Sequence, residues 1–285
     1  MYPNPIHPMF LAADGFGQIP GYQSFSVFNN VSTVPYPYLS RNNQQWVGID
    51  SNTPSQFIFS AWLNPQTFAG IPTAVDMIST QTAGRSSQFR FMLLRVDDNS
   101  AVIQIRIFSS SFATYIITFP DLLFTNTWTH IAVSAYLPSV EPARVVATAI
   151  NGTLVTPSLS VNPSFTTMGF NWATNSIFTF ADVQGNPAFM YKGTWAEFYF
   201  APGQYLNFLD STNLRKFISP SGGTKYLGEN GELPTGTSPA LYLRGPKSNL
   251  YTGGANAINW GTGGIFTISG TDYFSDGATN PPSTG

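Results

Sequence analysis

The sequence contains no cysteine. Disulfide staples, thiolate metal sites and cysteine nucleophiles are therefore excluded. A chain of 285 residues has to hold itself together by burial, and it is long enough to do so. Charge is nearly as scarce. Asp, Glu, Lys and Arg make up 9% of the residues, against about a quarter in an ordinary soluble protein. Twelve basic residues stand against fourteen acidic ones, for a net charge of −2. The basic residues are scattered singly, so no stripe exists to neutralise phosphates, and a nucleic-acid partner is not expected. No stretch approaches 18 uninterrupted apolar residues, so membrane insertion is not expected either. The opening run MYPNPIHPMFLAADGFG has no positively charged segment and does not read as a secretory leader.

What is abundant is aromatic. Phe, Tyr and Trp number 24, 13 and 6, within a hydrophobic share of 42%, which supplies a large core. Residues 1–22 carry four prolines and read as an extended arm. Its Tyr2, Ile6, Met9 and Phe10 are apolar enough to dock on a partner chain. Short β-rich runs then recur between turn signals, at 24–28, 56–63, 88–96, 101–108, 114–119, 128–136, 143–150, 176–181, 194–201, 240–245 and 264–269. The run AVIQIRIF (101–108) alternates. Ile103, Ile105 and Ile107 fall on one face, Gln104 and Arg106 on the other, the period of a half-buried strand. Val96-Asp97-Asp98-Asn99 and Asn151-Gly152 are turn chemistries, so 88–108 and 143–156 are expected to be antiparallel hairpins. One helix is expected, over STNLRKFIS, capped by Asp210, with Leu214, Phe217 and Ile218 on one face, Lys216 in its last turn and Pro220 as the stop. The domain is expected to span 23–274, with a flexible tail over 275–285. Many strands and few helices predict an all-β sandwich or jelly roll.

Catalytic signatures are missing. There are two histidines: His7 lies in the arm, and His130 lies inside a strand, where a packed residue is the ordinary reading. No G-x-S-x-G elbow is present. A glycosidase needs two facing carboxylates, yet no strand carries acids at i and i+2. Glu197 is alone in its strand, Glu229 and Glu232 share a loop, and Asp97 and Asp98 belong to a turn. Gly261–Gly264 is glycine-rich but lacks the Lys-Ser/Thr of a phosphate loop. A calcium at the rim of the sandwich is left open, with Asp76, Asp97, Asp98, Asn99 and Asp182 as the oxygen donors on offer; no other cofactor is expected. Of the six tryptophans, four are expected in the core. Trp172, with Asn171 and Asn175, and Trp260, with Asn259, are the candidates for stacking on a sugar ring.

The runs FIFSAWLNP, RFMLLRV, TNTWTHIAVSAY and AINGTLV resemble the laminin G-like, or concanavalin A-like, jelly roll. The stretches WAEFYFAPGQYLNFLDSTNLRKFIS, YLGENGELPTGTSPALYLRG and GTGGIFTISGT resemble the variant of that domain found in tailed bacteriophages and prophages. The resemblance covers roughly residues 24–272. It implies a two-sheet antiparallel jelly-roll sandwich and a role in adhesion, glycan or protein recognition, or virion structure. It carries over no catalytic residues and no calcium ligands. The expectation is a non-enzymatic virion surface component, either a head decoration or fibre protein or a tail-associated adhesin. Its partners would be capsid or tail subunits, further copies of itself and a cell-surface glycan. A lectin or carbohydrate-binding module outside a virion is the alternative, and a glycan-active hydrolase the remote one.

Overall fold

The computed structural model describes residues 27–29, 38–41, 55–70, 74–81, 87–109, 113–139, 143–165, 168, 176–180, 191–250, 256–269 and 274–283. They form β1 (Val27–Asn29), β2 (Tyr38–Arg41), β3 (Gln56–Pro65), β4 (Ala74–Gln81), β5 (Ser87–Arg95), β6 (Ser100–Phe108) and β7 (Thr114–Phe124). There follow β8 (Thr129–Tyr136), β9 (Val145–Ile150), β10 (Thr153–Val155), β11 (Ser158–Val161), β12 (Ser176–Thr179) and β13 (Gly193–Pro202). After α1 (Ser211–Leu214) come β14 (Leu241–Leu243), α2 (Lys247–Leu250), β15 (Asn256–Ala257), β16 (Phe266–Ser269) and β17 (Phe274–Asp276). The architecture is an all-β, two-sheet antiparallel jelly-roll sandwich. One sheet has eight strands in the order β10-β9-β8-β3-β13-β1-β17, with β14 beside β13; the other has nine, β11-β7-β6-β5-β4-β12-β2-β16-β15.

Aromatic rings fill the space between the sheets. Phe59 stacks on Phe91 at 4.2 Å, and Phe57 meets Phe89 edge-on at 5.3 Å, each pair bridging the two sheets. Phe180 stacks on Trp195 at 4.9 Å. Burial patterns then separate the two outer faces. β13 is buried at all ten positions and β8 at all but its last, as expected of strands covered on both sides. The cover is the excursion between β13 and β14. Its Phe208, Leu214, Phe217, Ile218 and Leu227 pack on Ile58, Trp62, Ala132, Ala147 and Tyr199 of the eight-stranded sheet. In the nine-stranded sheet β6 alternates between buried and half-buried along its length. The outer face of β6 reaches solvent, whereas β4 of the same sheet is buried on both of its faces.

Both expected hairpins form, β5 with β6 and β9 with β10. At the second, Asn151 and Gly152 take φ of 49° and 76°, the two left-handed residues that a tight hairpin turn requires. A Cβ on Gly152 would lie 3.1 Å from Arg215 Nη1 and 3.2 Å from Ile218 Cγ2. Gly152→Ala is therefore expected to destabilise by about 1–2 kcal/mol, read as a lower urea midpoint.

The expected helix is shorter than its apolar pattern. Asp210 caps it, its Oδ1 accepting from Thr212 N at 2.9 Å, and Leu214, Phe217 and Ile218 are buried. Helical geometry stops at Leu214, because Lys216 N and Phe217 N donate to Asn213 O and Leu214 O, three residues back. Lys216 thus follows the helix rather than sitting in its last turn. A second one-turn helix, α2, follows Pro246. Residues 275–283, read from sequence as a flexible tail, are held by contacts. β17 pairs with β1, Asp276 Oδ1 accepts from Lys247 N at 2.6 Å, and Pro282 O accepts from Thr224 N at 2.7 Å. The 1–22 arm lies outside the described residues.

Candidate functional site: the open face of the nine-stranded sheet

Alternation along β6 aims Gln104 and Arg106 outward, because Ile103, Ile105 and Ile107 occupy the core. Antiparallel register supplies their neighbours. Arg106 lies opposite Arg90 on β5 and Ile116 on β7, and Gln104 lies opposite Met92 and Thr118. Asp76 on β4, opposite Met92, comes within reach of Arg90 on the diagonal. Four strands thus build one polar row.

The two arginines of this row are not equivalent. Arg90 is locked: its Nη2 lies 2.8 Å from both Asp76 oxygens and its Nε 3.1 Å from Oδ2. Asp76 is fully buried and the Arg90 side chain 24% exposed. Arg106 Nε donates to Gln104 Oε1 at 2.6 Å, and Gln104 Nε2 donates to Thr118 Oγ1 at 3.1 Å. Among the described residues, no carboxylate pairs with Arg106 and its Nη groups donate to nothing. Burial lowers the Arg106 pKa first, Arg90's charge lowers it further, and Asp76 acts in the opposite sense. A guanidinium stays protonated under such a shift. The face therefore presents a charged fork with unused donors, next to an amide and a hydroxyl that fix its direction. Such a fork matches a carboxylate, and the amide and hydroxyl suit ring oxygens.

The remaining ionisable groups do not converge on that face. His130 belongs to the eight-stranded sheet and is fully buried beneath the β13–β14 excursion. Its Nε2 lies 2.9 Å from Ser60 Oγ, and burial pushes its pKa down to about 3. Glu197 sits in a bulge of β13 with φ 47°, accepting from Tyr242 OH at 2.5 Å. In the Asp97 turn, Oδ1 accepts from Asn99 N at 2.8 Å, and Asp98 pairs with Arg95. The bond from Asn99 is the main reason the Asp97 carboxyl titrates below its usual range. Of the other proposed calcium donors, Asp76 faces Arg90, and Asp182 lies outside the described residues. Among the described residues no three His, Asp or Glu side chains gather as metal ligands.

The aromatic candidates fall elsewhere. Asn259 is buried, its Oδ1 accepting from Tyr242 N (2.8 Å) and Gly261 N (3.0 Å) and its Nδ2 donating to Ala240 O (2.9 Å). It braces a loop. Trp260 is half-buried against the outer cluster of the eight-stranded sheet, its Nε1 donates to Asn249 O at 3.2 Å, and the Arg244 guanidinium sits 4.1 Å above its ring. Asn171, Trp172 and Asn175 lie outside the described residues. Trp62 and Trp195 are buried, and Trp128 is half-buried. Sequence reading placed Gln104 and Arg106 together on one strand face but missed Arg90 as their neighbour. The register of β5 against β6 supplies it.

No family model matches the chain, and no curated protein does. Among solved structures the chain is similar to the native heptameric SAP-like pentraxin from Limulus polyphemus. The identity is 11% and the TM-score 0.52, over 90% of this chain and 95% of that one. That likeness establishes the fold class, a jelly-roll sandwich. Two weaker likenesses have TM-scores of 0.40 and add nothing to it. One is tailspike protein 2 of an Escherichia coli O157:H7 bacteriophage, at 15% identity over 70% of this chain and 28% of that one. The other is the Ruminococcus gnavus IT-sialidase CBM40 bound to alpha2,3 sialyllactose, at 12% identity over 69% and 95%. Among the described residues no helix is long and apolar enough to cross a membrane.

Proposed function

We propose that this chain is a non-catalytic recognition module of a phage virion surface, and that the open face of its nine-stranded sheet reads a carboxylate-bearing glycan. The observation that carries the glycan reading is the Arg106 fork, directed by Gln104 and Thr118 and left without a carboxylate, beside an arginine that has one. The absence of a carboxylate pair or histidine on this row argues for binding rather than cleavage. The virion placement is supported by the phage-like C-terminal stretches, the scarce charge and the missing cysteine. The arm residues Tyr2, Ile6, Met9 and Phe10 are proposed to dock on a neighbouring virion subunit. Trp172 with its asparagines, and Trp260, are the competing sugar platforms.

The test is an array of neutral and carboxylated glycans probed with the multivalent chain, with calcium and with chelator. Wild type is expected to bind carboxylated glycans in both conditions. Arg106→Ala is expected to lose roughly tenfold to a hundredfold in affinity, the worth of a hydrogen bond to a charged group. Its folding stability should hold, because a like charge opposite Arg90 disappears. Unchanged binding by Arg106→Ala with loss by Trp260→Ala would move the site to the other sheet. A blank array would remove the glycan reading and leave virion assembly alone.

A further inference from the structure

Strand β11 is the outermost strand of the nine-stranded sheet, paired on one side with β7. All four of its residues are exposed. Leu159 and Val161 stand opposite Ile117 and Tyr115, both core residues, so they face the inside of the sandwich. Yet Leu159 is 47% exposed and Val161 36%. They are core-facing side chains at a mouth that no described residue closes.

The backbone of β11 is open in the same place. Asn162 N donates to Thr114 O at 2.9 Å. In an antiparallel ladder the residues bonded to one neighbour alternate. Ser158, Ser160 and Asn162 therefore bond towards β7, and the N–H and C=O groups of Leu159 and Val161 point away from the sheet. Natural proteins guard such an edge with charge, proline, a bulge or a cover. Here residues 145–181 contain no charged side chain, and Pro157 and Pro163 bracket the strand without entering it.

We propose that the edge is closed by β11 of a second copy of this chain, running antiparallel about a two-fold axis through Ser160. That register sets Leu159 beside Val161 of the other copy, and Val161 beside its Leu159. Four backbone hydrogen bonds form, and the apolar pairs cover one another on the core side. Ser160 meets Ser160 on the outer side. An uncharged strand meets its own copy with no like-charge penalty, so the contact is self-complementary as a two-fold interface requires. The axis stands perpendicular to the sheet, so the two nine-stranded sheets run on as one and both Arg106 rows face the same way. The dimer stands independently of the glycan reading. If both hold, two sites engage one surface, and avidity exceeds the single-site affinity by orders of magnitude.

The absence of cysteine makes a clean test. Across a non-hydrogen-bonded antiparallel pair Cβ atoms lie about 4.5–5.5 Å apart, close enough for a disulfide after a small adjustment. Ser160→Cys is expected to give a covalent dimer on mild oxidation. Ser158→Cys, some 13 Å from its own copy along the strand, is expected to give none. In sedimentation velocity the wild type should be a dimer at micromolar concentration. Leu159→Lys, at a half-exposed position, should raise the dissociation constant tenfold or more with an unchanged circular dichroism spectrum. A wild type that stays monomeric, or equal crosslinking by both cysteine variants, overturns the proposal.

Discussion

Acidification from pH 6.5 to 4 is expected to remove about 3 kcal/mol of folding stability through one residue, His130. The imidazole is fully buried, and burial holds its pKa at about 3 in the folded chain; in the unfolded chain it returns to about 6.5. A depressed folded pKa means that the unfolded state binds the proton first. The stability His130 contributes is therefore complete above pH 6.5 and falls as the pH drops towards 3, by at most about 1.4 kcal/mol per pH unit. Against a total of about 5–15 kcal/mol, that loss is large. The cause is local. Among the described residues His130 has one side-chain hydrogen-bond partner, Ser60 Oγ, and none at its buried Nδ1, and it packs 5.1 Å from Trp62 under an apolar cover. Urea unfolding at pH 7, 5.5 and 4 reads the effect. His130→Gln keeps a polar atom near Ser60 and removes the titration, so its profile over that interval should flatten by about 3 kcal/mol. Parallel profiles for the two proteins would sink the assignment.

The residues on either side of His130 show what sequence makes legible and what it hides. THIAVSAY reads as a strand from its β-branched and apolar content, and it is one. Its burial on both faces is invisible locally, because the cover comes from residues 208–227, far along the chain. The Asp210 cap and the Asn151-Gly152 turn are local devices whose residue chemistry fixes the backbone, so both were readable. Strand β4 was missed because AVDMISTQ places an aspartate mid-strand, where aspartate is depleted. The reason for that aspartate is Arg90, a partner on the next strand. Strand β11 was missed because SLSV is short and half serine, and pairing with β7 rather than composition makes it a strand. Likewise AVIQIRIF showed that Arg106 points outward, but not that a second arginine stands opposite it.

That second arginine depends on Asp76, and Asp76→Ala is expected to cost about 3 kcal/mol. Removing one partner of a buried pair costs about 3–5 kcal/mol because the other charge is left unpaired. The low end applies because the Arg90 side chain is 24% exposed and regains some water. Repulsion adds to the loss, since Arg90 then faces Arg106 across the β5–β6 ladder with no carboxylate between them. The fork geometry makes the pair cooperative, with three contacts of 2.8–3.1 Å. Asp76→Ala, Arg90→Ala and the double variant form a cycle, read as unfolding free energies in urea. The double variant should cost clearly less than the two single losses together, since it leaves no orphaned charge. Additive losses would mean that the pair is not coupled and that Asp76 has another role. The same cycle separates scaffold from site. Asp76 is buried and cannot touch a ligand on the face, so it acts as a positioning residue. Freed from Asp76, Arg90 becomes a second unpaired guanidinium beside Arg106, and under the proposed reading it strengthens the pull of the row on a carboxylate. Asp76→Ala should therefore widen the preference for carboxylated over neutral glycans, and Arg106→Ala should remove it. A preference unchanged in both variants would take glycan recognition off this face altogether.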